Sequence, residues 1–319
     1  MTGKGTQMVS TRGVAKDSTS PAGDSVIIEV AVNGSTPRSV NRHVPRMPEE
    51  IAADVIACAE HGASIAHNHN DEPMFTDTGI HSVQPYIVAW ERILRIHPDV
   101  LLYPTLAAGA RDIAIEDRWA HIAELARRGL GGMTLVDPGS VNLGLVAGGP
   151  VPPIGARGCY QNTLDDTAYM FAETAKLGAA PSISIFEPGY LRSTLAWHRA
   201  GLLPLGAFVK LYFGGVLEFG LPPTRAGLEA YLELLEPSGL PWSVALLGGD
   251  IVDSGLAAMA IERGGHIRVG LEDYAGDGQP TNVELVDRAV ELIHKMGCVP
   301  STTTQTRDIL GIPGAPLPI

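Results

Sequence analysis

Two histidines one residue apart are the clearest candidates for chemistry in this sequence. His67 and His69 follow a short apolar stretch and lie within Ser64-Ile-Ala-His-Asn-His-Asn70. Because successive side chains of a β-strand alternate between its faces, the two imidazoles point the same way. Two adjacent imidazoles at a strand end supply half of a metal site. The alternative is a pair of polar residues leaving a strand, each hydrogen-bonded to the backbone.

The chain around these histidines alternates short apolar runs with longer amphipathic segments. Repeated strand-then-helix units imply parallel strands joined by right-handed crossovers, and eight of them favour a closed TIM (β/α)8 barrel in one domain. An open, doubly wound sheet is the alternative, but no Gly-x-Gly-x-x-Gly follows the first strand. The predicted strands are Val26–Val32, Ser64–His69, Val100–Pro104, Gly132–Val136, Ser182–Phe186, Ala207–Phe213, Trp242–Leu247 and His266–Gly270.

Composition limits the class of protein. Hydrophobic residues make up 45% of the 319 residues, enough for one large core over residues 26–319, behind a flexible, Ser/Thr/Gly-rich leader at residues 1–25. The net charge of −12 argues against a nucleic-acid binder, and no apolar run is long enough for a membrane span. Three widely spaced cysteines, Cys58, Cys159 and Cys298, fit a reducing cytoplasm. Barrels of this kind are commonly homo-oligomers, which we also expect here.

Closure of the barrel brings a carboxylate to the histidines. Chemistry in such barrels lies at the C-terminal ends of the strands, where His67 and His69 end strand two and Glu272 ends strand eight. Strand one then neighbours both of these strands, so its lone carboxylate, Glu29, lies between them. Two histidines and Glu272 form a set suited to zinc with an open coordination position.

Further charged residues are predicted inside the barrel. Arg268 shares its strand face with Glu272, and an arginine inside a barrel needs partners, for which Asp273 and Glu29 are the candidates. Arg268 could serve catalysis or form a structural ion pair, and Asp273 could instead cap the turn after strand eight. Lys210, in strand six, could form a Schiff base, but the metal set offers a different way to polarise a carbonyl.

Several segments of the chain resemble the β-keto acid cleavage enzymes. The resemblance extends from about Val26 to Pro313, and the run from Ile267 to Asp273 behind an upstream His-x-His is its most specific part. The matching segments are Pro48-Glu-Glu-Ile, His67-Asn-His69, Gly139-Ser-Val-Asn142, Leu221-Pro-Pro-Thr224, Ile267-Arg-Val-Gly-Leu-Glu-Asp273 and Thr306-Arg-Asp-Ile-Leu310.

This resemblance implies a zinc-dependent TIM barrel. Such an enzyme would convert a β-keto acid and acetyl-CoA into acetoacetate and the CoA ester of the remaining acyl group. By motif position, the zinc ligands would be His67, His69 and Glu272. Arg268 and Asp273 would form the catalytic pair.

The resemblance also implies substrate contacts and contains one departure. Glu29 would match the strand-one carboxylate that helps hold the substrate, and Thr105, Thr134 and Asn142 are the further candidates. The family reads His-x-His-x-Arg-Asp, whereas Asp71 stands here in place of the arginine. Because Glu29 and Asp71 would add negative charge beside the metal, we expect a preference for a β-keto acid with a cationic or neutral polar tail over an acidic one.

Two other functions stay open on the sequence. Metal-dependent hydrolases also use His-x-His in a barrel, but they usually carry it on strand one, whereas His67 and His69 lie on strand two. A barrel that only binds a metabolite, with a structural metal, is the non-enzymatic alternative. A closed shell of four ligands would favour it, and an open position would not.

Overall fold

Eight parallel strands form the centre of the protein within the part of the chain that the computed structural model describes, namely residues 25–73, 75–76, 78–109, 113–145 and 159–312. The strands are β1 (Ile28–Ala31), β2 (Ile65–Asn68), β3 (Leu101–Pro104), β4 (Met133–Val136), β5 (Ala180–Ile185), β6 (Phe208–Gly214), β7 (Trp242–Leu247) and β8 (His266–Val269). Their order is β3-β2-β1-β8-β7-β6-β5-β4. A parallel bridge between Leu102 and Gly132 joins β3 to the start of β4, which confirms the predicted (β/α)8 barrel.

A helix follows each strand and covers the outside of the barrel. Their starts carry recognisable signals: Pro48 opens the first helix, and the hydroxyls of Thr163, Thr224 and Thr281 cap three others. The helices are α1 (Pro48–Glu60), α2 (Gln84–Ile96), α3 (Ala120–Arg127), α4 (Leu164–Leu177), α5 (Pro188–Arg199), α6 (Arg225–Leu235), α7 (Leu256–Glu262), α8 (Asn282–Lys295) and the C-terminal α9 (Thr303–Leu310), with short turns at Ile115–Arg118 and Glu236–Ser238.

Successive side chains of each strand point alternately toward the helix layer and into the barrel interior. Asn68 of β2 faces outward, because its Oδ1 accepts a hydrogen bond from Trp90 Nε1 of α2 at 2.8 Å. Its neighbour His67 therefore faces inward. Thr134 of β4 also faces outward, since its hydroxyl lies 2.8 Å from that of Thr174 on α4. The inner and outer faces of the sheet are both buried, as in other barrels.

The N-terminal boundary differs slightly from the prediction. The first predicted strand is divided into Ser25–Val26, which pairs with Val299–Pro300, and β1. Ser25, one residue before the predicted strand, thus joins a second, two-stranded sheet. The leader before it lies outside the described residues, as do residues 146–158. Among the helices described, none combines the length and hydropathy required to cross a bilayer.

Candidate active site

Two histidines from the end of β2 meet a carboxylate from the turn after β8. His67 Nε2 lies 3.2 Å from Glu272 Oε2, and His69 Nε2 lies 3.5 Å from Glu272 Oε1. One ligand atom from each residue falls within 4.8 Å of the others. Both imidazoles are buried, whereas 16% of the Glu272 side chain is exposed. The three residues predicted as ligands thus converge, with access from one side.

The protonation of His67 matters for what this set can hold. His67 Nδ1 lies 3.2 Å from the carbonyl oxygen of Tyr103, which can only accept, so the ring proton is on Nδ1. Burial lowers the pKa of His67 to about 4 against the opposing effect of Glu272, so the ring is neutral at pH 7. Its Nε2 lone pair therefore faces a carboxylate oxygen. Among the described residues no donor reaches Glu272 Oε2.

The lone pair of His67 Nε2 and those of Glu272 Oε2 face each other, and they repel unless a cation lies between them. The donor set, two neutral imidazoles and one carboxylate, is one that zinc accepts, and the Tyr103 carbonyl fixes the His67 ring as an outer-shell partner does in metal sites. The residues present therefore fit a bound divalent metal. His67, His69 and Glu272 would hold it.

Two glycines make room for Glu272. Gly270 has φ +134°, and a Cβ there would lie 2.1 Å from the carbonyl oxygen of Ala31 on the adjacent strand. Gly34, with φ +53°, packs against the Glu272 side chain, because its Cβ would lie 2.3 Å from Glu272 Cγ. A side chain at either position would displace the carboxylate or the strand beside it.

Arg268 connects the carboxylates of the site. Its Nε and Nη2 bind the two oxygens of Asp273 at 2.8 and 2.9 Å, and Nη2 also lies 3.0 Å from Glu272 Oε1. Its Nη1 donates to Glu29 Oε1 at 3.2 Å. Both partners expected for Arg268 are thus present, and the guanidinium is buried among them. One planar side chain fixes the Glu272 carboxylate relative to that of Asp273.

The two neighbouring carboxylates differ in acidity. Burial alone would raise the pKa of Glu272, but the Arg268 guanidinium brings it well below its usual value. Burial raises the pKa of Asp273 to about 6, because lost hydration outweighs the attraction of Arg268. Glu272 is therefore ionised, whereas Asp273 can both accept and release a proton near neutral pH.

Glu29 does not face the mouth of the barrel. It is fully buried, and its Oε1 accepts hydrogen bonds from Arg268, from Lys210 Nζ at 3.0 Å and from the hydroxyl of Tyr103. Burial would raise its pKa, but Lys210 and Arg268 keep that pKa below its usual value. The charge of Glu29 is thus balanced by two cations within the barrel, and its contact with a substrate stays a prediction.

The three predicted polar substrate contacts lie in different parts of the barrel. Thr105 is buried directly after β3 and continues the inward parity of Tyr103. Asn142 is exposed in the loop after β4. Thr134, which faces α4, is not brought to the barrel interior, and this corrects its expected place at the site. Both faces of β4 are buried and rich in apolar residues, so the sequence pattern did not reveal which face Thr134 occupies.

Two interior residues were missed by the sequence reasoning. Tyr103 stands two residues before Thr105 and shares its parity, which was the available signal. Asp137 directly follows Val136 at the end of β4, is 4% exposed, and accepts a hydrogen bond from the Tyr160 hydroxyl at 2.5 Å. A polar residue that directly follows a strand lies where such barrels carry their chemistry, and this position was the available signal for Asp137.

Asp71, the one departure from the family pattern, lies close to the candidate site in sequence and is exposed. The side chain of Asp71 is 61% exposed, and its Oδ1 lies 3.7 Å from Arg46 Nη1. Its charge is therefore hydrated and partly balanced by a neighbouring cation. Glu29 and Asp71 were expected to attract the cationic tail of a substrate. Both carboxylates thus lie beside positively charged groups of the protein.

Comparison with known proteins agrees with this geometry. The chain is 28% identical over 300 residues to the 3-dehydrocarnitine:acetyl-CoA trimethylamine transferase of Rhizobium meliloti, covering 85% of this chain and 91% of the relative. It is 28% identical over 297 residues to the 3-keto-5-aminohexanoate cleavage enzyme of Fusobacterium nucleatum, covering 91% and 98%. It is 27% identical over 296 residues to the 3-oxoadipate:acetyl-CoA acetyltransferase of Cupriavidus necator, covering 90% and 95%.

Solved structures and the family assignment complete the comparison. The binary complex of ObcA with oxaloacetate superposes with a TM-score of 0.62 at 18% identity, covering 85% of this chain and 67% of that one, which shows a shared barrel fold. Residues 25–312 match the family described as BKACE, beta-keto acid cleavage enzyme. With nearly the whole chain matched, this protein belongs to the beta-keto acid cleavage enzyme family.

Proposed function

We propose that this protein is a zinc-dependent enzyme that exchanges the acyl group of a small β-keto acid with acetyl-CoA, giving acetoacetate and a new acyl-CoA. One observation carries the proposal: Arg268 Nη2 contacts both Glu272 and Asp273, at 3.0 and 2.9 Å. The metal ligand and the acid/base carboxylate are thereby held side by side. Relatives named for acetyl-CoA transfer and for β-keto acid cleavage support this reaction class.

The proposed reaction balances as two successive acyl transfers. Loss of a proton from the carbon between the keto and carboxylate groups of the substrate lets that carbon attack the acetyl thioester. A carbon–carbon bond forms and CoA thiolate leaves. The thiolate then attacks the original keto carbon, and the bond from this carbon to the central carbon breaks. The central carbon regains a proton, and acetoacetate and the new acyl-CoA are released.

In this reaction the residues would act as follows. Asp273 takes the proton from the central carbon and later returns it, and its raised pKa suits both directions. Arg268 orients Asp273 through its two hydrogen bonds. A metal held by His67, His69 and Glu272 would supply Lewis-acid polarisation of the keto and carboxylate oxygens.

The charges of the buried groups support an anionic substrate. Next to the candidate ligands, the carboxylates of Glu272 and Asp273 stand against the Arg268 guanidinium, which leaves a local formal charge of −1. A divalent metal would change this to +1. One substrate carboxylate would then bring the site to neutrality, which favours binding of a β-keto acid.

A product assay tests the proposal and its alternatives. Purified, zinc-loaded protein is incubated with a panel of β-keto acids, with and without acetyl-CoA, and products are identified by mass spectrometry. We expect acetoacetate and a substrate-derived acyl-CoA only when acetyl-CoA is present. Free acids formed without acetyl-CoA would indicate a hydrolase, and substrate binding without any product would indicate a metabolite-binding barrel. A homo-oligomeric state and a cytoplasmic location stay predictions.

A further inference from the structure

We propose that Lys210 is a positioning residue of this site: together with Tyr103 it holds Glu29 beneath Arg268, and so aims Arg268 at Glu272 and Asp273. The inference rests on the proposed function for its kinetic tests. It assigns a role to Lys210 and to the side chain of Tyr103, a residue whose carbonyl also holds the ring of His67.

The observation is a hydrogen-bonded cluster that crosses the barrel interior. Lys210 on β6 donates to Glu29 Oε1 on β1 at 3.0 Å, and it also donates to the hydroxyl of Tyr103 on β3. The Tyr103 hydroxyl donates to the same Glu29 oxygen. Arg268 on β8 adds a further donor to that oxygen at 3.2 Å. One carboxylate oxygen thus joins four strands.

Burial makes this cluster sensitive to the loss of one member. Glu29 and Lys210 are 0% exposed and Arg268 is 1% exposed. A buried carboxylate stays ionised only while its partners compensate for lost hydration. Without the Lys210 ammonium, Glu29 either takes up a proton or draws the Arg268 guanidinium toward itself. Either change disturbs the hydrogen bonds between Arg268 and Asp273.

The same contacts argue against a Schiff base at Lys210. Its Nζ is enclosed between the Glu29 carboxylate and the Tyr103 ring, whose centroid lies 4.2 Å away. A substrate carbonyl at the strand ends would have to displace the Arg268–Glu29 pair to reach it. Lys210 therefore acts on the site through Glu29.

The surroundings of Lys210 also give the site a pH dependence. Glu29 from β1, Tyr103 from β3, Arg268 from β8 and Asp137 after β4 all face it. Burial lowers the pKa of Lys210 to about 8, against the attraction of Glu29. Above that pH the ammonium loses its proton and Glu29 loses one of its two cationic partners. We therefore expect activity to fall on the alkaline side near pH 8.

A double-mutant cycle tests the positioning role. Lys210→Met should lower kcat at least 10-fold and change KM less than threefold, because Asp273 rather than the binding surface is disturbed. Glu29→Gln/Lys210→Met should be no slower than Lys210→Met alone, because both changes act through one contact. Multiplied effects of the two single variants would overturn the proposal. The double variant removes both buried charges together. If Lys210→Met does not fold, the double variant should match Glu29→Gln in kcat, and a slower double variant would overturn the proposal.

The pH profile separates positioning from a general structural role. Lys210→Arg keeps the cation but raises its pKa, so its alkaline limb should move upward by at least one pH unit. An unchanged limb would overturn the proposal. Borohydride added with the β-keto acid should leave the mass of the protein unchanged, whereas a reduced adduct at Lys210 would show a Schiff base instead.

A spectroscopic readout keeps this inference independent of turnover. Because Arg268 contacts the metal ligand Glu272, the visible absorption of the Co²⁺-loaded protein should differ between the wild type and Lys210→Met. The surface substitution Lys176→Met, which removes a lysine that pairs only with Glu173 among the described residues, should leave the spectrum unchanged. If wild type forms no acyl-CoA, the proposed function fails, while the Co²⁺ spectra still decide the role of Lys210. Identical spectra in all three proteins would overturn that role.

Discussion

Arg268 binds Asp273 through two parallel hydrogen bonds, from Nε to Oδ2 at 2.8 Å and from Nη2 to Oδ1 at 2.9 Å. The two residues are five positions apart, and the turn that begins at Gly270 brings them together at the end of β8. A planar guanidinium that binds both oxygens of a carboxylate fixes its orientation, which a lysine could not do. The Asp273 carboxylate, next to the candidate ligand Glu272, therefore has one defined direction.

Replacement of this carboxylate by an amide should abolish turnover without loss of the metal. Asp273→Asn keeps the shape of the side chain but removes its basic oxygen, so we expect kcat to fall by about 10²- to 10⁴-fold. Zinc content, measured by elemental analysis, should stay at the wild-type value. A kcat near that of wild type would leave Asp273 as a cap on the turn after β8.

The ligand set makes a stoichiometric prediction. We expect one zinc per chain in the wild type and almost none in His67→Ala/His69→Ala, because a single carboxylate cannot hold the ion. Elemental analysis after dialysis is the measurement, and circular dichroism checks that the barrel persists. Stoichiometric zinc in the double variant would place the site elsewhere.

The contact between Gly34 and Glu272 can be tested with a matched control. Gly34→Ala and Gly129→Ala both place a side chain at positive φ, which costs about 1–2 kcal/mol of stability. Only at Gly34 would the new Cβ meet Glu272, since nothing lies within 4 Å of it at Gly129. We expect weakened zinc binding in Gly34→Ala alone, measured by competition with a chelator. Equal zinc affinities would show that Glu272 adapts.

The place of Glu29 changes the expectation about substrate charge. Since its carboxylate is paired with Lys210 and Arg268, Glu29→Gln should lower kcat but leave the ranking of cationic, neutral and anionic β-keto acids unchanged. The measurement is kcat/KM for three substrates matched in size. A reordered ranking in the variant would restore the interpretation from the sequence, in which Glu29 contacts the substrate tail.

A buried histidine away from the site predicts acid sensitivity. His266 Nδ1 accepts a hydrogen bond from the Ile27 N–H at 3.1 Å, and burial lowers the pKa of His266 to about 4, from 6.5. Between these values the unfolded chain binds a proton that the folded chain does not. The free energy of unfolding therefore does not depend on the titration of His266 above about pH 6.5. Below that pH it decreases toward pH 4 by about 1.4 kcal/mol per pH unit.

His266→Asn keeps an acceptor near Ile27 but cannot titrate. The decline in the free energy of unfolding of zinc-free protein between pH 7 and pH 5, measured by urea denaturation, should therefore be shallower in the variant. The same decline in both proteins would assign the acid sensitivity to other groups.

Much of the metal site could be predicted from the sequence because it depends on local rules. The alternation of side chains sets His67 and His69 on one face, and Arg268 and Glu272 on one side of β8. Closure of eight strands then brings β1 between β2 and β8, whatever the details of packing. The repeated strand and helix pattern determined both the barrel and the convergence of His67, His69 and Glu272.

Only the tertiary structure decided which groups meet inside the barrel and which face the helices. Glu29 was expected at the substrate, and Lys210 and Tyr103 reach it from β6 and β3, neither of which is adjacent to β1. Such contacts depend on the stagger of all strands around the barrel, which no single segment encodes. Thr134 faces the helix layer. Because both faces of a barrel strand are buried, the apolar pattern of β4 does not show which of its side chains point inward.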